Sequence, residues 1–239
     1  TTEIDIFGDI GEDWWTGEGN TLESVLADLR NVTTIGIDPH DSKDADDTIG
    51  LEFKDGKRFI SINIADVTHY IKPGSELDKE ALKRSTSVYL VDRCVPMLPE
   101  RLSNGICSLK PHEDRLAFSV IFTLDKDGNI LNTWEGKTVI HSDRRYAYEE
   151  AQEIIEGNDG DYSTEIRLLD TLARKIRKKR IKEGSIEMGG IEVRFKLAED
   201  NKKPTYSWDV LLLKFKRFAV YTMILQTKEL NIFKQKRYR

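Results

Sequence analysis

The run Thr34-Ile35-Gly36-Ile37-Asp38-Pro39-His40-Asp41-Ser42-Lys43-Asp44-Ala45-Asp46-Asp47 places five aspartates in the ten residues from Asp38 to Asp47, directly behind a β-like stretch, Thr34 to Ile37. Two carboxylates about 4 Å apart repel by about 4 kcal/mol at an effective dielectric near 20. Several of them converging on one pocket would mostly protonate unless a cation held them ionised. Hard oxygen donors select a hard divalent ion, and Mg²⁺ keeps waters and substrate phosphate in its shell instead of filling it with protein. The competing reading is a solvated loop, because aspartate also favours turns and caps. A calcium-binding EF-hand is excluded. A loop starting at Asp44 would place Asp46 third and Asp55 last, but Ile49 falls where the sharp-turn glycine belongs.

The loop leads straight into sheet-forming sequence. Ile49 to Phe53 and Phe59 to Ile64 flank Lys54-Asp55-Gly56-Lys57, and an Asp-Gly pair between apolar runs signals a hairpin. Leu116 to Leu124 and Ile130 to Thr138 form a second hairpin around Lys126 to Asn129. Residues 3–7 alternate like a strand, and Gly8 to Gly19 reads as an acidic loop. Thr21 to Leu29 reads as a helix with Thr21 as its N-cap. Leu77 to Ser85 is a short charged helix. From Thr164 to Lys182, Ile166, Leu169, Leu172, Ala173 and Ile176 recur at three- and four-residue steps, the stripe of an amphipathic helix. Its other face holds Arg174, Lys175, Arg177, Lys178, Lys179, Arg180 and Lys182, which suits solvent and phosphate equally. Gly184 ends that helix, and Ile191 to Leu197 returns to strand. The fold class that follows is α+β, a mixed or antiparallel sheet with flanking helices.

At 239 residues and 38% hydrophobic content, the chain has enough apolar material for a core. Its net charge of −5 argues against binding nucleic acid through bulk charge, but the charge is uneven. Residues 211–239 carry a net +7, which leaves −12 for the rest and suggests a polyanion-facing tail. Cys94 and Cys107 stand thirteen apart in no metal or redox pattern, and the four histidines are scattered, so neither zinc nor a disulfide framework is indicated. The apolar stretch Val210 to Leu225 is interrupted by Lys214, Lys216 and Arg217, and no signal peptide opens the chain. A cytoplasmic protein without a membrane span is expected.

Onward from the aspartates run IADVTHYIKPGSELDKEA (64–81), TSVYL (86–90), PMLPERLSNGICSL (96–109) and DRL (114–116). Over residues 33–204 this order resembles the RNB catalytic domain of the ribonuclease II and ribonuclease R exoribonucleases. The resemblance implies a hydrolytic enzyme that degrades single-stranded RNA from its 3′ end to nucleoside 5′-monophosphates with Mg²⁺, with Mn²⁺ as an alternative ion. The family pattern D-x5-D-x-D-D falls on Asp38, Asp44, Asp46 and Asp47, which the resemblance makes the metal-holding and catalytic carboxylates, Asp46 being tied most closely to the chemical step. Asp41 is then the structural aspartate. Tyr89 matches the family tyrosine that packs on the terminal nucleotide, although a lone tyrosine at the end of an element is more often core. Pro96 to Ser108 becomes a proline-braced loop near the RNA path.

The ends depart from that pattern. IDIFGDIGEDWWTGEG (4–19), followed by the expected helix, resembles the start of the Clp-protease-like phage head-maturation proteases, without their serine nucleophile. After Pro204, TYSWDVLLLKFKRF (205–218) lacks the acidic helix and the asparagine-arginine pattern of the family. No cold-shock or S1 barrel is visible in the sequence. Three segments follow: 1–32 of other origin, 33–204 as a partial RNB domain, and 205–239 as a basic tail. The expectation is a weak or inactive nuclease lacking a catalytic arginine, with a non-catalytic single-stranded RNA-binding remnant as the alternative.

Overall fold

Seven strands of one sheet carry the acidic loop. The computed structural model describes residues 27–54, 56–90 and 92–186, with the backbone alone of 194–197 and 204–207. The chain divides into two compact units, Thr1–Ser85 with Leu98–Ala147, and Thr86–Met97 with Tyr148–Arg239.

In the first unit the strands are β1 (Ala27–Leu29), β2 (Thr33–Asp38), β3 (Asp47–Lys54), β4 (Lys57–Ala65), β7 (Asp114–Leu124), β8 (Ile130–His141) and β9 (Arg144–Ala147). Their order is β1-β8-β7-β4-β3-β2-β9. The inner pairs are antiparallel, whereas β1 on β8 and β9 on β2 are parallel, so the sheet is mixed. The β3–β4 hairpin closes at Lys54 and Lys57, with Gly56 at φ +71°, a conformation that glycine adopts without penalty. At the next hairpin, Asp125 accepts from the backbone of Asp127 and Asn129, and a register shift follows Thr123. Residues 27–29, expected at the end of a helix, form β1 instead. Three residues carry too little periodicity to resist capture by the edge of β8.

Central strand β4 is buried on both faces, from Phe59 through Asn63. On one face Leu29, Val32, Phe59, Ala65, Ala117, Ile121 and Ile140 pack with Cys107 and Leu109 of the segment before β7. That segment begins at Pro99, whose carbonyl accepts from Leu102 and Ser103 at 2.8 and 3.1 Å and opens a wide helical turn over Arg101–Ile106. A buried polar row crosses four strands. Asn63 donates to Thr48 at 3.2 Å, Ser119 donates to Asn63 at 2.7 Å, and Ser119 and Thr138 share a bond of 2.6 Å. Slipping any strand by one residue would strand these groups without partners, so the row fixes the register. Helices α1 (Val67–Tyr70) and α2 (Glu76–Arg84) follow β4, and Ser75 caps α2 by accepting from Asp78 at 3.2 Å.

In the second unit, β5 (Val88–Tyr89) and β6 (Cys94–Val95) form a short hairpin. Helix α3 (Tyr148–Glu156) buries Ala151 and Ile154, and α4 (Ser163–Lys182) buries Ile166, Leu169, Leu172 and Ala173, the stripe expected from the sequence. Arg167 of α4 donates to the carbonyls of Ile154 and Asn158 at 3.1 and 2.7 Å, which ties α4 to the end of α3. Strands β10 (Arg194–Leu197) and β11 (Pro204–Ser207) pair antiparallel. The strand expected at 3–7, the Thr21 cap, most of the segment resembling a head-maturation protease and the basic tail lie outside the described residues. Among the described residues no helix is long and apolar enough to cross a membrane.

Candidate functional site

The acidic loop spans the open end of the β2–β3 pair. The ladder between these strands runs only from Thr33↔Leu51 to Ile35↔Ile49, so Asp38 and Asp47 stand where the strands part. The intervening loop is pinned by backbone. Leu109 N–H donates to the Ala45 carbonyl at 2.8 Å and Ala65 N–H to the Asp46 carbonyl at 3.0 Å. Ala45 is turned inward and buried, between Asp44, half-buried, and Asp46, exposed.

Four carboxylates act on one another here. Asp38 is only 8% exposed. Burial pushes its carboxyl up to about 6, helped by the negative charges of Asp47, Asp46 and Asp44 and opposed by Arg145. Asp46 is also pushed up to about 6, by the atoms packed around it and then by Asp44 and Asp47. Asp46 keeps contact with solvent, which blunts the effect of the atoms packed around it and makes the like charges of Asp44 and Asp47 count for more. Asp41 is exposed and is not among the charges that move either group. The structure thus brings Asp38, Asp44, Asp46 and Asp47 within electrostatic reach of one another and leaves Asp41 aside.

One residue of this site gave no signal in the sequence. Arg145, opposite Gly36 in the parallel β2–β9 ladder, donates from Nη2 to the Pro39 carbonyl at 2.6 Å and to that of His40 at 3.5 Å. Its Nε lies 3.4 Å from Asp38 Oδ2 without making a hydrogen bond. An arginine more than a hundred residues downstream, delivered by a parallel edge strand, has no periodicity or spacing to betray it.

The donor set suits a hard divalent cation in kind. It consists of acceptor-only oxygens, and the buried Asp38 Oδ2 makes no hydrogen bond, with Arg145 Nε at 3.4 Å offsetting part of its charge. The focus is looser than the chemistry. Among the described residues no three His, Cys, Asp or Glu side chains converge closely enough to hold one ion. Carboxylates that repel one another spread apart, and each aspartate has only two side-chain torsions to turn before an oxygen points inward.

Tyr89 belongs to the other unit. It lies on β5 opposite Cys94, and at 71% exposed it is not packed as a core aromatic. Its neighbours Val88 and Leu90 are likewise about half exposed.

Comparison with known proteins converges on one family. The model of the RNB domain matches residues 26–218. DIS3-like exonuclease 2 of Schizosaccharomyces pombe is 43% identical over 189 residues, covering 72% of this chain and 20% of that protein. Ribonuclease R of Thermotoga maritima is 48% identical over 130 residues, covering 54% of this chain and 18% of that protein. Among solved structures, Mycoplasma genitalium RNase R in complex with double-stranded RNA matches with a TM-score of 0.70 at 28% identity, covering 82% of this chain and 36% of that one. The chain therefore spans about a fifth of the length of these two relatives. With the family match running across the mixed sheet, the acidic loop and both helices of the second unit, the chain belongs to the RNB-domain family.

Proposed function

We propose that this chain carries the carboxylate part of a hydrolytic centre that removes nucleotides from the 3′ end of single-stranded RNA as nucleoside 5′-monophosphates. In this reading Asp38, Asp44, Asp46 and Asp47 hold Mg²⁺, with Mn²⁺ as an alternative ion, Tyr89 stacks on the terminal base, and the site of action is the cytoplasm. The observation that carries it is the crowding of four aspartates on one partly buried loop, where burial together with the neighbouring negative charges raises both Asp38 and Asp46 to about 6 and a buried oxygen of Asp38 makes no hydrogen bond. Such an arrangement is unfavourable by itself and becomes favourable around a cation. A bound divalent ion supplies a water activated near neutral pH and a counter-charge for the phosphate.

The protein's own residues supply the rest. Arg145 holds the start of the loop by its carbonyls, and the backbone of Leu109 and Ala65 holds its end, so the carboxylates are presented from a fixed frame. Asp38 and Asp46 would have to be deprotonated to hold the ion, so its occupancy should fall below about pH 6. An exposed aromatic face such as that of Tyr89 contributes roughly 1–3 kcal/mol of stacking without regard to base identity.

The test is incubation of the chain with single-stranded RNA and Mg²⁺, using RNA labelled at the 5′ end in one tube and at the 3′ end in another. Release of 3′ label as mononucleotide at a slow rate, ahead of progressive shortening of the 5′-labelled strand, is the expected result, the weak turnover following from a partial domain. A second reading is favoured by the absence of a ready-made three-ligand focus among the described residues: a module that binds RNA without cutting it. Intact RNA together with a salt-sensitive mobility shift would decide for that reading.

A further inference from the structure

The segment between the proline-braced turn and β7 contributes one side chain to the acidic loop. Ser108 is 1% exposed. Its Oγ accepts from the Ala45 N–H at 3.0 Å and donates to the Lys43 carbonyl at 3.2 Å, so one hydroxyl bridges the two peptide groups that flank Asp44. The next residue repeats the grip, since Leu109 N–H donates to the Ala45 carbonyl at 2.8 Å. Ser108 is itself fixed. Its N–H donates to the Gly105 carbonyl at 3.2 Å, and its own carbonyl accepts from Arg115 Nε at 3.0 Å. Hydrogen-bonding capacity at this hydroxyl is spent on the loop backbone on both sides, which is more than a buried serine needs for its own satisfaction.

We propose that Ser108 is a positioning residue for the metal-holding carboxylates: its hydroxyl latches the Lys43–Ala45 backbone and so sets where Asp44 and Asp46 point. The inference rests on the proposed metal-holding role of those aspartates. Without the latch, the Ala45 N–H and the Lys43 carbonyl lose a common partner, and the two carboxylates on either side of Ala45 lose their fixed spacing. Alanine removes the latch. Threonine keeps the hydroxyl but adds a methyl group to a buried position, which lowers stability by overpacking.

Two measurements separate positioning from simple support. Mn²⁺ affinity, read from the free-ion electron paramagnetic resonance signal, and melting temperature are compared for wild type, Ser108→Ala, Ser108→Thr and Ser119→Ala. The last removes a buried hydroxyl of the polar row that does not touch the loop. Ser108→Ala is expected to weaken Mn²⁺ roughly ten- to a hundredfold, the usual cost of losing a group that orients ligands. Ser108→Thr and Ser119→Ala are expected to melt lower and bind as wild type. Wild-type affinity in Ser108→Ala, or affinity that follows melting temperature across all three variants, overturns the latch. Wild type that binds no Mn²⁺ overturns the metal-holding reading instead. Amide exchange at Ala45 reads the latch without any ion. It should quicken in Ser108→Ala and not in Ser119→Ala, and unchanged exchange overturns the proposal whatever the ion does.

Discussion

Replacing Asp38 by asparagine removes one charge from the acidic cluster while keeping its shape, and the structure fixes both the sign and the size of the effect. The Asp38 carboxyl sits at about 6 against an ordinary 3.8, because burial and the charges of Asp47, Asp46 and Asp44 outweigh the attraction of Arg145. Between those two values the folded chain binds more protons than the unfolded one. Stability is therefore lost as pH rises through the window from about 4 to 6, and the loss is complete above it. A gap of about 2 pH units corresponds to about 3 kcal/mol at pH 7 in the absence of divalent ions. Asparagine escapes this cost but also gives up Arg145, 3.4 Å away. The expected net gain is about 1–2 kcal/mol at pH 7, shrinking toward zero at pH 4. Urea denaturation in EDTA at the two pH values measures it. With Mn²⁺ added, the order should reverse, because wild type gains binding energy that the variant lacks. A variant less stable than wild type at pH 7 in EDTA, by the same margin as at pH 4, would show that the Asp38 carboxyl is not held against its charge.

Two further substitutions probe the frame and the substrate contact. A Cβ on Gly50 would meet Ser61 Oγ at 2.2 Å and Val32 Cγ1 at 3.1 Å in the buried centre of the sheet, so Gly50→Ala should cost about 1–3 kcal/mol in urea denaturation, and Ser61→Gly in the same chain should return part of it. A Gly50→Ala chain as stable as wild type would show that the β3–β4 contact is looser than described. Tyr89→Ala should weaken single-stranded RNA binding by about 1–3 kcal/mol in fluorescence anisotropy while leaving the melting temperature unchanged, because the side chain is 71% exposed. Unchanged RNA affinity would rule out the stacking role proposed for Tyr89.

Much of the sheet was legible because its signals are local. The Asp55-Gly56 and Asp127-Gly128 turns, the apolar runs of β3 and β4 and the stripe of α4 each lie within a few residues, where turn chemistry and periodicity operate. The two parallel edge strands were not. β9 reaches β2 from more than a hundred residues away, and β1 has three residues, which fitted a helix equally well on paper. The acidic quartet could be picked out because repulsion among clustered carboxylates is a property of composition, and the resemblance separated Asp41 from the other four. Arg145 and Ser108 could not be found that way. Each acts on the loop through backbone carbonyls and amides, and those contacts depend on tertiary register rather than on residue spacing.

The proposed function requires that Asp38, Asp44, Asp46 and Asp47 close around a divalent ion. Titration of Mn²⁺ into the wild-type chain and into Asp46→Asn/Asp47→Asn at pH 7.5, read by the free-ion resonance signal, addresses it without any RNA present. Saturable binding in wild type and its loss in the double variant, which should melt no lower than wild type in EDTA because it sheds two like charges, is the expected result. Equal Mn²⁺ affinity in the two proteins would show that Asp46 and Asp47 hold no ion.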